Sequence, residues 1–144
     1  MIRKAEYGDL KELAELGVLL WPHHTAAELA EEFSRTMAKE DAAFFLAFAD
    51  GAAVGFAQCQ LRHDYVEGTD SSPVGYLEGI FVKEGKRQQG IAKMLLSACE
   101  AWAGELGCRE FASDCELDNT QSLRFHLGLG FEEANRIICF RKRL

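Results

Sequence analysis

An apolar run and the turn that follows it carry residue types that bind an anionic ligand. The run Tyr76-Leu77-Glu78-Gly79-Ile80-Phe81-Val82 contains a single charge, at Glu78, and after four residues comes Arg87-Gln88-Gln89-Gly90-Ile91-Ala92. A turn of the form Arg-x-x-Gly-x-Ala that opens an amphipathic helix directs backbone N–H groups towards an anion. The pattern predicts a strand, a phosphate-binding turn and a helix, and a pyrophosphate is a suitable ligand.

Two carboxylates are candidates for chemistry on a basic ligand. Glu78 stands where a buried strand would normally carry an aliphatic residue, and Asp114 closes the run Ala112-Ser113-Asp114. Burying an unpaired charge is costly, so Glu78 is either a functional group, such as a general base, or a carboxylate paired with a basic neighbour. We favour the functional interpretation. Asp114 is equally compatible with a ligand contact and with an ordinary turn residue.

The first half of the chain predicts a strand, two helices and a hairpin. The strand is Ile2 to Ala5, and capping boxes at Asp9-x-x-Glu12 and Thr25-x-x-Glu28 each open a helix. Two β-rich runs, residues 43–49 and 52–61, are joined by Asp50-Gly51, a pair that favours a type I′ turn. We therefore expect an antiparallel hairpin after the two helices.

The second half predicts a loop, further strands and two helices. These segments are a polar loop from His63 to Pro73, a strand from Val74 to Val82, a helix from near Gly90 to near Gly107, a strand from Glu110 to Asp114, a helix capped by Asn119 and ended by Gly130, and one or two closing strands from Phe131 to Arg143. The order β, α, α, β, β, β, α, β, α, β, β predicts a mixed α/β sheet with helices on its faces.

Composition narrows the class of protein. The 144 residues, 48% apolar, predict one domain, residues 1–144, and the absence of an apolar segment of about 18 residues or a signal segment favours a cytoplasmic protein without membrane contact. The net charge of −7 argues against nucleic acid and suits a cationic ligand. Five widely spaced cysteines without a C-x-x-C pair predict reduced, mostly buried thiols, and no ligand spacing predicts a metal site.

The anion-binding turn resembles the acyl-CoA-binding core of the GNAT N-acetyltransferase superfamily, whose pattern is Gln or Arg, two residues, Gly, one residue, then Gly or Ala. Asn119, Ser122, Gly130 and Phe131 also fall in the closing pattern of that superfamily. The resemblance implies an α/β (α+β) GNAT fold. It has a mixed, mostly antiparallel central sheet of six to seven strands, four helices on its faces, and strands four and five splayed.

The same resemblance implies how acetyl-CoA is held. Backbone N–H groups near Ile80, Phe81 and Val82 would bind the acetyl carbonyl and pantetheine, in an oxyanion-hole arrangement that needs no particular side chain. The pyrophosphate would be wrapped by Gln88, Gln89, Gly90, Ile91, Ala92 and Lys93, with Asn119 on the other side. His126 stands where many members carry a tyrosine that protonates the leaving thiolate, so it is either that acid or a histidine packed against core or cofactor.

A narrower resemblance, over nearly the whole chain, is to bacterial aminoglycoside 6′-N-acetyltransferases. It rests on stretches such as Leu20-Trp21-Pro22, Arg62-His63-Asp64-Tyr65-Val66 and Leu129-Gly130-Phe131-Glu132-Glu133. It implies direct acetyl transfer to the 6′ amine in a ternary complex, and a homodimer joined through the C-terminal strands. The implied acceptor contacts are Trp21, His24, Tyr65, Glu78 and Asp114, with Asn135 at a position that is acidic in the family.

Carboxylates and aromatic rings suit a polyamino sugar, because such a ligand offers ammonium groups and hydroxyls. The alternative interpretation of Trp21 is a helix-end anchor that buries its ring. Two other functions remain open: a GNAT enzyme for another small amine or a peptide N-terminus, and a non-catalytic module that binds acyl-CoA.

Overall fold

The computed structural model describes all 144 residues as one sheet with four helices. In chain order the elements are β1 (Ile2–Lys4), α1 (Leu10–Leu20), α2 (Ala26–Met37), β2 (Ala42–Ala49), β3 (Ala52–Arg62), β4 (Val74–Val82), α3 (Ile91–Glu105), β5 (Phe111–Ala112) and α4 (Thr120–Gly128). A short 3₁₀ turn at Tyr7–Asp9 precedes α1, and another at Glu84–Lys86 precedes the turn that leads into α3.

The five strands lie in sequence order, β1-β2-β3-β4-β5. The first three pairs are antiparallel and β4 runs parallel to β5. The predicted mixed, mostly antiparallel sheet with four helices is therefore confirmed. The expected six to seven strands are wrong for this structure, which has five.

Local signals fix several element boundaries. The Thr25 hydroxyl accepts a hydrogen bond from the Glu28 N–H at 3.1 Å, as predicted for the start of α2. Positive φ angles at Asp50 and Gly51 confirm the hairpin turn. The capping box predicted from Asp9 is wrong, because the Asp9 carboxylate accepts from the Glu6 N–H and pairs with Arg3 instead.

Helices cover both faces of the sheet, and each face has its own apolar core. On one face α3 contributes Leu95, Leu96 and Cys99, which pack against buried residues of β2, β3 and β4. On the other face α1 and α2 bury Leu13 and Phe33, together with other apolar residues, against β2 and β3. Burial of a large apolar side chain contributes about 1.5–3 kcal/mol, so these two layers fix the sheet that carries the site.

The middle of β4 combines a bulge with the loss of one neighbour. Residues Gln58 and Cys59 of β3 face Gly79 and Leu77, so Glu78 is the extra residue of a β-bulge. On the other side β5 pairs only with Gly75 and Tyr76. Beyond Tyr76 the two strands are no longer paired, which leaves a gap beside Glu78; we call this point the splay.

The segment after α4 differs from the sequence-based expectation. Residues 131–144 form neither helix nor strand, whereas one or two closing strands were predicted from 131 to 143. A strand exists only where a neighbouring backbone completes its hydrogen bonds, and this chain supplies no such neighbour to its own C-terminal segment. Apolar side chains in the segment are exposed as a result: Ile137 is 63%, Ile138 79% and Phe140 90% exposed.

All five cysteines are free thiols. Cys59 and Cys99 are both buried, and the neighbouring Cys59 thiol together with burial raises the pKa of Cys99. Cys108 is half-buried while Cys115 and Cys139 are exposed, so the prediction of mostly buried thiols is wrong. None of the helices combines the length and the apolar character needed to span a membrane.

Candidate active site

An open cavity of about 290 Å³ lies where β4 and β5 separate. Its walls come from the end of α1, the end of β3, the bulged part of β4, the segment after β5 and the half-buried face of α4. The polar and aromatic side chains in these walls are Trp21, Arg62, Tyr76, Glu78, Ser113, Asp114, Ser122 and His126. Five residues that the sequence predicted for the site line this cavity together: Trp21, Glu78, Ile80, Asp114 and His126.

Glu78 is paired with an arginine of the neighbouring strand. Nη2 of Arg62 lies 2.6 Å from one carboxylate oxygen of Glu78 and 3.1 Å from the other. The Glu78 side chain is only 17% exposed, so this ion pair compensates much of the cost of removing the charge from water. The basic neighbour considered as an alternative for Glu78 therefore exists, and it stands inside the cavity.

Asp114 is held by a tyrosine. The Tyr76 hydroxyl donates a hydrogen bond to Oδ2 of Asp114. Burial and this hydrogen bond raise the pKa of Tyr76, which keeps the phenol protonated as a donor. The guanidinium carbon of Arg62 lies 3.4 Å from the centroid of the Tyr76 ring. Asp114 therefore belongs to the cavity wall and is not an isolated turn residue.

His126 is fixed by hydrogen bonds at both ring nitrogens. Nδ1 lies 2.8 Å from the backbone carbonyl oxygen of Ser122, which can only accept, so Nδ1 carries a proton. Nε2 lies 2.8 Å from the Ser113 hydroxyl. In the neutral ring Nε2 is then the acceptor from Ser113, and His126 can donate from Nε2 only as the imidazolium.

Trp21 serves both the core and the cavity. Its ring packs edge-on against Phe56 and Phe33, with centroid separations of 5.9 and 6.3 Å. The same ring crosses β4 at Gly79, where an added β-carbon would lie 2.6 Å from it. Gly79 is thus required for this approach. The packing supports the helix-end anchor, and the contact of Trp21 with an acceptor stays a prediction.

Three other predicted acceptor contacts lie outside the cavity lining. His24 is exposed, with Nδ1 3.7 Å from a carboxylate oxygen of Glu28. Tyr65 is 74% exposed in the loop before β4. Asn135 donates to Glu67 of that same loop at 2.6 Å.

The turn between β4 and α3 has the backbone geometry of an anion-binding loop. Gln88 and Gly90 have φ angles of 61° and 80°, and a β-carbon added at Gly90 would meet no atom within 4 Å. The first N–H groups of a helix have no partner within the helix, so those of α3 face this open space. Arg87 turns back and donates from Nε to the Val82 carbonyl at 2.8 Å.

The edge of β4 beyond the splay offers further backbone groups. Lys83 donates its N–H to Val54 of β3, whereas the Val82 carbonyl accepts from Arg87 on the other side. Because successive residues of a strand point to alternate sides, the N–H and C=O of Ile80 share the direction of those of Val82. They point towards the gap left by β5.

Asn119 begins α4, with its side-chain oxygen accepting from the Ser122 N–H at 3.0 Å, which confirms the predicted cap.

The sequence interpretation did not identify Arg62, Tyr76 or Ser113 as site residues. Arg62 and Tyr76 converge through strand register, which the sequence does not specify. Ser122 and His126 are four residues apart on a helix, a spacing that does indicate contact. No group of three His, Cys, Asp or Glu side chains forms a metal-binding geometry.

Comparison with known proteins agrees with this geometry. The model of the acetyltransferase (GNAT) family matches residues 10–131. An aminoglycoside N(6′)-acetyltransferase type 1 from Salmonella typhimurium is 48% identical over 142 residues, covering 99% of this chain and 98% of the relative. The corresponding enzyme from Stenotrophomonas maltophilia is 44% identical, covering 99% and 93%.

Solved structures give the same result. AAC(6′)-Iy in complex with the bisubstrate analogue CoA-S-monomethyl-acetylneamine has a TM-score of 0.94 and 44% identity, covering 100% of this chain and 98% of that one. The apo structure of AAC(6′)-IG from Acinetobacter haemolyticus has a TM-score of 0.95 and 38% identity, covering 100% and 99%. The chain therefore belongs to the acetyltransferase (GNAT) family and closely resembles the aminoglycoside N(6′)-acetyltransferases of bacteria.

Proposed function

We propose that this protein transfers the acetyl group of acetyl-CoA to the 6′ amine of aminoglycosides, by direct attack in a ternary complex, and so confers resistance to these antibiotics. The observation that carries the proposal is the cavity at the splay of β4 and β5. It brings two carboxylates and an aromatic ring next to the open edge of β4, the strand that leads to the turn before α3. The relatives named above support the acceptor.

The turn and the strand edge suit acetyl-CoA as co-substrate. The pyrophosphate lies against the N–H groups from Gln88 to Lys93, where Gly90 leaves room for close approach of backbone and phosphate. The thioester carbonyl is held by the N–H groups of Ile80 and Val82 in the gap, with Phe81 and Asn119 as further contacts. A negative charge that develops on that oxygen meets donors fixed before the reaction.

The cavity suits a cationic acceptor. Glu78 and Asp114 each bind an ammonium or hydroxyl group, and the exposed edge of Trp21 packs against a sugar ring. His24, Tyr65 and Asn135 extend the acceptor site beyond the cavity, since His24 follows Trp21 closely and the other two lie on the loop before β4 and on the segment beside it.

The chemistry follows from these positions. The 6′ ammonium loses a proton to Glu78, and the free amine attacks the thioester carbonyl carbon to form a tetrahedral intermediate. This intermediate loses its second amine proton to solvent as the carbon–sulfur bond breaks, which leaves the amide and releases the CoA thiolate. His126 supplies a proton to the thiolate from Nε2 when the ring is doubly protonated. Glu78 is thus the base and His126 the acid of the proposed reaction.

We further propose that the protein works as a homodimer in the cytoplasm. The exposed apolar residues of the C-terminal segment support the dimer, because they would be covered by pairing with a second copy. The location is supported by the use of acetyl-CoA and by five unpaired thiols.

Steady-state acetylation tests the proposal. Purified protein is supplied with acetyl-CoA and a panel of aminoglycosides, including a pair that differs only by replacement of the 6′ amine with a hydroxyl, and CoA release is followed. We expect turnover only when the 6′ amine is present. Turnover of simple polyamines or peptides instead would support a different acceptor. Binding of acetyl-CoA without CoA release on any amine would support a non-catalytic module.

A further inference from the structure

One arginine bonds one carboxylate of the cavity and stacks on the tyrosine that bonds the other. Arg62, at the end of β3, bonds both oxygens of Glu78 through Nη2 and lies flat over the ring of Tyr76 at 3.4 Å. The hydroxyl of that ring donates to Asp114. The two carboxylates are therefore linked through an arginine–tyrosine stack, which we call the Arg62–Tyr76 stack.

The tyrosine of the stack has little freedom to move. Tyr76 is 6% exposed, which leaves its ring little freedom, and a protonated phenol can only donate to a carboxylate. The guanidinium is planar, so it can stack on the ring and bond Glu78 at the same time, which a lysine ammonium cannot do. Strand register adds a further constraint, because Gln60 of β3 faces Tyr76 and holds the two strands in this alignment.

We infer that the Arg62–Tyr76 stack is a positioning unit that sets the separation and direction of Glu78 and Asp114, and thereby selects acceptors with two ammonium groups at matching distance. The inference rests on the proposed function only in its choice of acceptor. The Tyr76 bond uses Oδ2 of Asp114 and leaves Oδ1 to receive a ligand. A cation that enters the cavity then meets two carboxylates whose places are already fixed, so it pays little ordering cost.

The contrasting interpretation makes Arg62 a placeholder that an incoming ammonium must displace from Glu78. Arg62 is 40% exposed and its head could swing out. The two interpretations predict opposite effects. Loss of a positioning residue weakens acceptor binding, whereas loss of a competing cation strengthens it.

The test compares three variants with two acceptors. Tyr76→Phe removes only the bond to Asp114, Arg62→Lys keeps the charge without the stack, and Arg62→Gln removes the charge; Arg35→Gln on α2, an exposed pair with Glu31, is the matched control. The acceptors are an aminoglycoside and its analogue with a hydroxyl in place of one amine other than the 6′ amine. Selectivity is the ratio of their kcat/KM values.

We expect Tyr76→Phe to reduce kcat/KM for the full aminoglycoside about ten-fold and for the analogue by less than three-fold, so the selectivity collapses while the KM for acetyl-CoA is unchanged. Arg62→Gln should reduce kcat/KM for the full aminoglycoside further, and Arg62→Lys should recover little of this loss. A purely structural role would lower both acceptors equally. Unchanged selectivity in Tyr76→Phe, or a lower acceptor KM in Arg62→Gln, would overturn the inference.

Calorimetric binding of the same two acceptors in the presence of CoA separates the inference from the proposed function. If wild-type protein binds both but acetylates neither, the proposed function fails, and the change in binding selectivity on Tyr76→Phe still decides the role of the stack. If wild-type protein binds neither acceptor, both proposals are wrong. Thermal melts establish that each variant is folded.

Discussion

The Ser113 hydroxyl and Nε2 of His126 lie 2.8 Å apart, and this contact joins the segment after β5 to α4 across the gap in the sheet. Because Nδ1 of the same ring donates to the Ser122 carbonyl, the ring is oriented from both sides. Ser113 also lies 3.4 Å from the Leu77 carbonyl on β4, so the contact stands where the strands diverge. The pair therefore forms part of the cavity wall.

Removal of the imidazole should reduce turnover without loss of cofactor binding. We expect His126→Ala to lower kcat by about 10²-fold, the low end of general acid–base contributions, with the KM for acetyl-CoA within two-fold of wild type. Ser113→Ala should lower kcat less, roughly three- to ten-fold, because it releases the ring without removing it. Ser113→Thr, which keeps the hydroxyl, should restore most of the rate.

Ser97→Ala, on the exposed face of α3, is the control for these changes and should leave kcat unaltered. A folded His126→Ala variant with the kcat of the wild type would show that His126 has only a packing role, against Phe131. The centroids of these two rings lie 5.2 Å apart.

The cofactor turn should depend on Gly90. Gly90→Ala forces a side chain to adopt φ near 80° and places a β-carbon in the space assigned to the pyrophosphate. We expect the Kd for acetyl-CoA, measured by calorimetry, to rise at least ten-fold, which is about 1.4 kcal/mol. Gly104→Ala in α3 is the matched control, since its added β-carbon also meets nothing and it should stabilise the helix by about 0.5–1 kcal/mol. Equal acetyl-CoA affinity in the two variants would contradict the turn assignment.

The two carboxylates should contribute differently to acetylation. Asp114→Asn should mainly raise the aminoglycoside KM, and Glu78→Gln should lower kcat as well, because Glu78 is also the proposed proton acceptor. Each loss should amount to roughly 1.5–3 kcal/mol, or about ten- to hundred-fold in kcat/KM. Glu31→Gln, an exposed carboxylate on α2, should change neither constant. Near wild-type efficiency in a folded Glu78→Gln, Asp114→Asn double variant would refute the acidic acceptor site.

The features that were predicted correctly are those set by residues adjacent in the sequence. The cap at Thr25, the turn at Asp50-Gly51 and the cap at Asn119 each depend on a few adjacent residues, and all three were predicted. Part of the site was not predicted, because its contacts join residues far apart in the sequence: Arg62 and Glu78 are 16 residues apart, and Tyr76 and Asp114 are 38 apart. Such pairs depend on the register of β3 and on the β4 bulge, which no local pattern specifies.

The contact of Asp9 with Arg3 is a second one that the sequence pattern did not predict, and it leads to a prediction about the dependence of stability on pH. Arg3 holds its carboxylate through two hydrogen bonds, and these lower the pKa of Asp9 from 3.8 to about 2. A lowered pKa in the folded state adds stability that is complete above the unfolded value, near 3.8, and is lost as the pH falls to about 2. The pair is partly exposed, so we take about 1 kcal/mol for its contribution.

Urea titrations at several pH values measure this effect. Asp9→Asn should be less stable than wild type by about 1 kcal/mol at pH 6, and the difference should close between pH about 4 and about 2. Glu15→Gln, an exposed change on α1, should follow the wild-type curve. A constant difference between Asp9→Asn and wild type across this range would show that the Arg3 charge pair does not contribute.

The C-terminal segment should determine the oligomeric state. Ile138 and Phe140 are two residues apart and are 79% and 90% exposed in the single chain. In an extended backbone such residues lie on one face, which pairing with another molecule would cover. Burial of each side chain would contribute about 1.5–3 kcal/mol to association. Light scattering at micromolar concentration should show a dimer for the wild type and a monomer for the Ile138→Asp, Phe140→Asp double variant. Leu19→Asp, which places the same charge on an exposed apolar residue of α1, should remain dimeric. A monomeric wild type, or a double variant that still dimerises, would show that this segment does not form the interface.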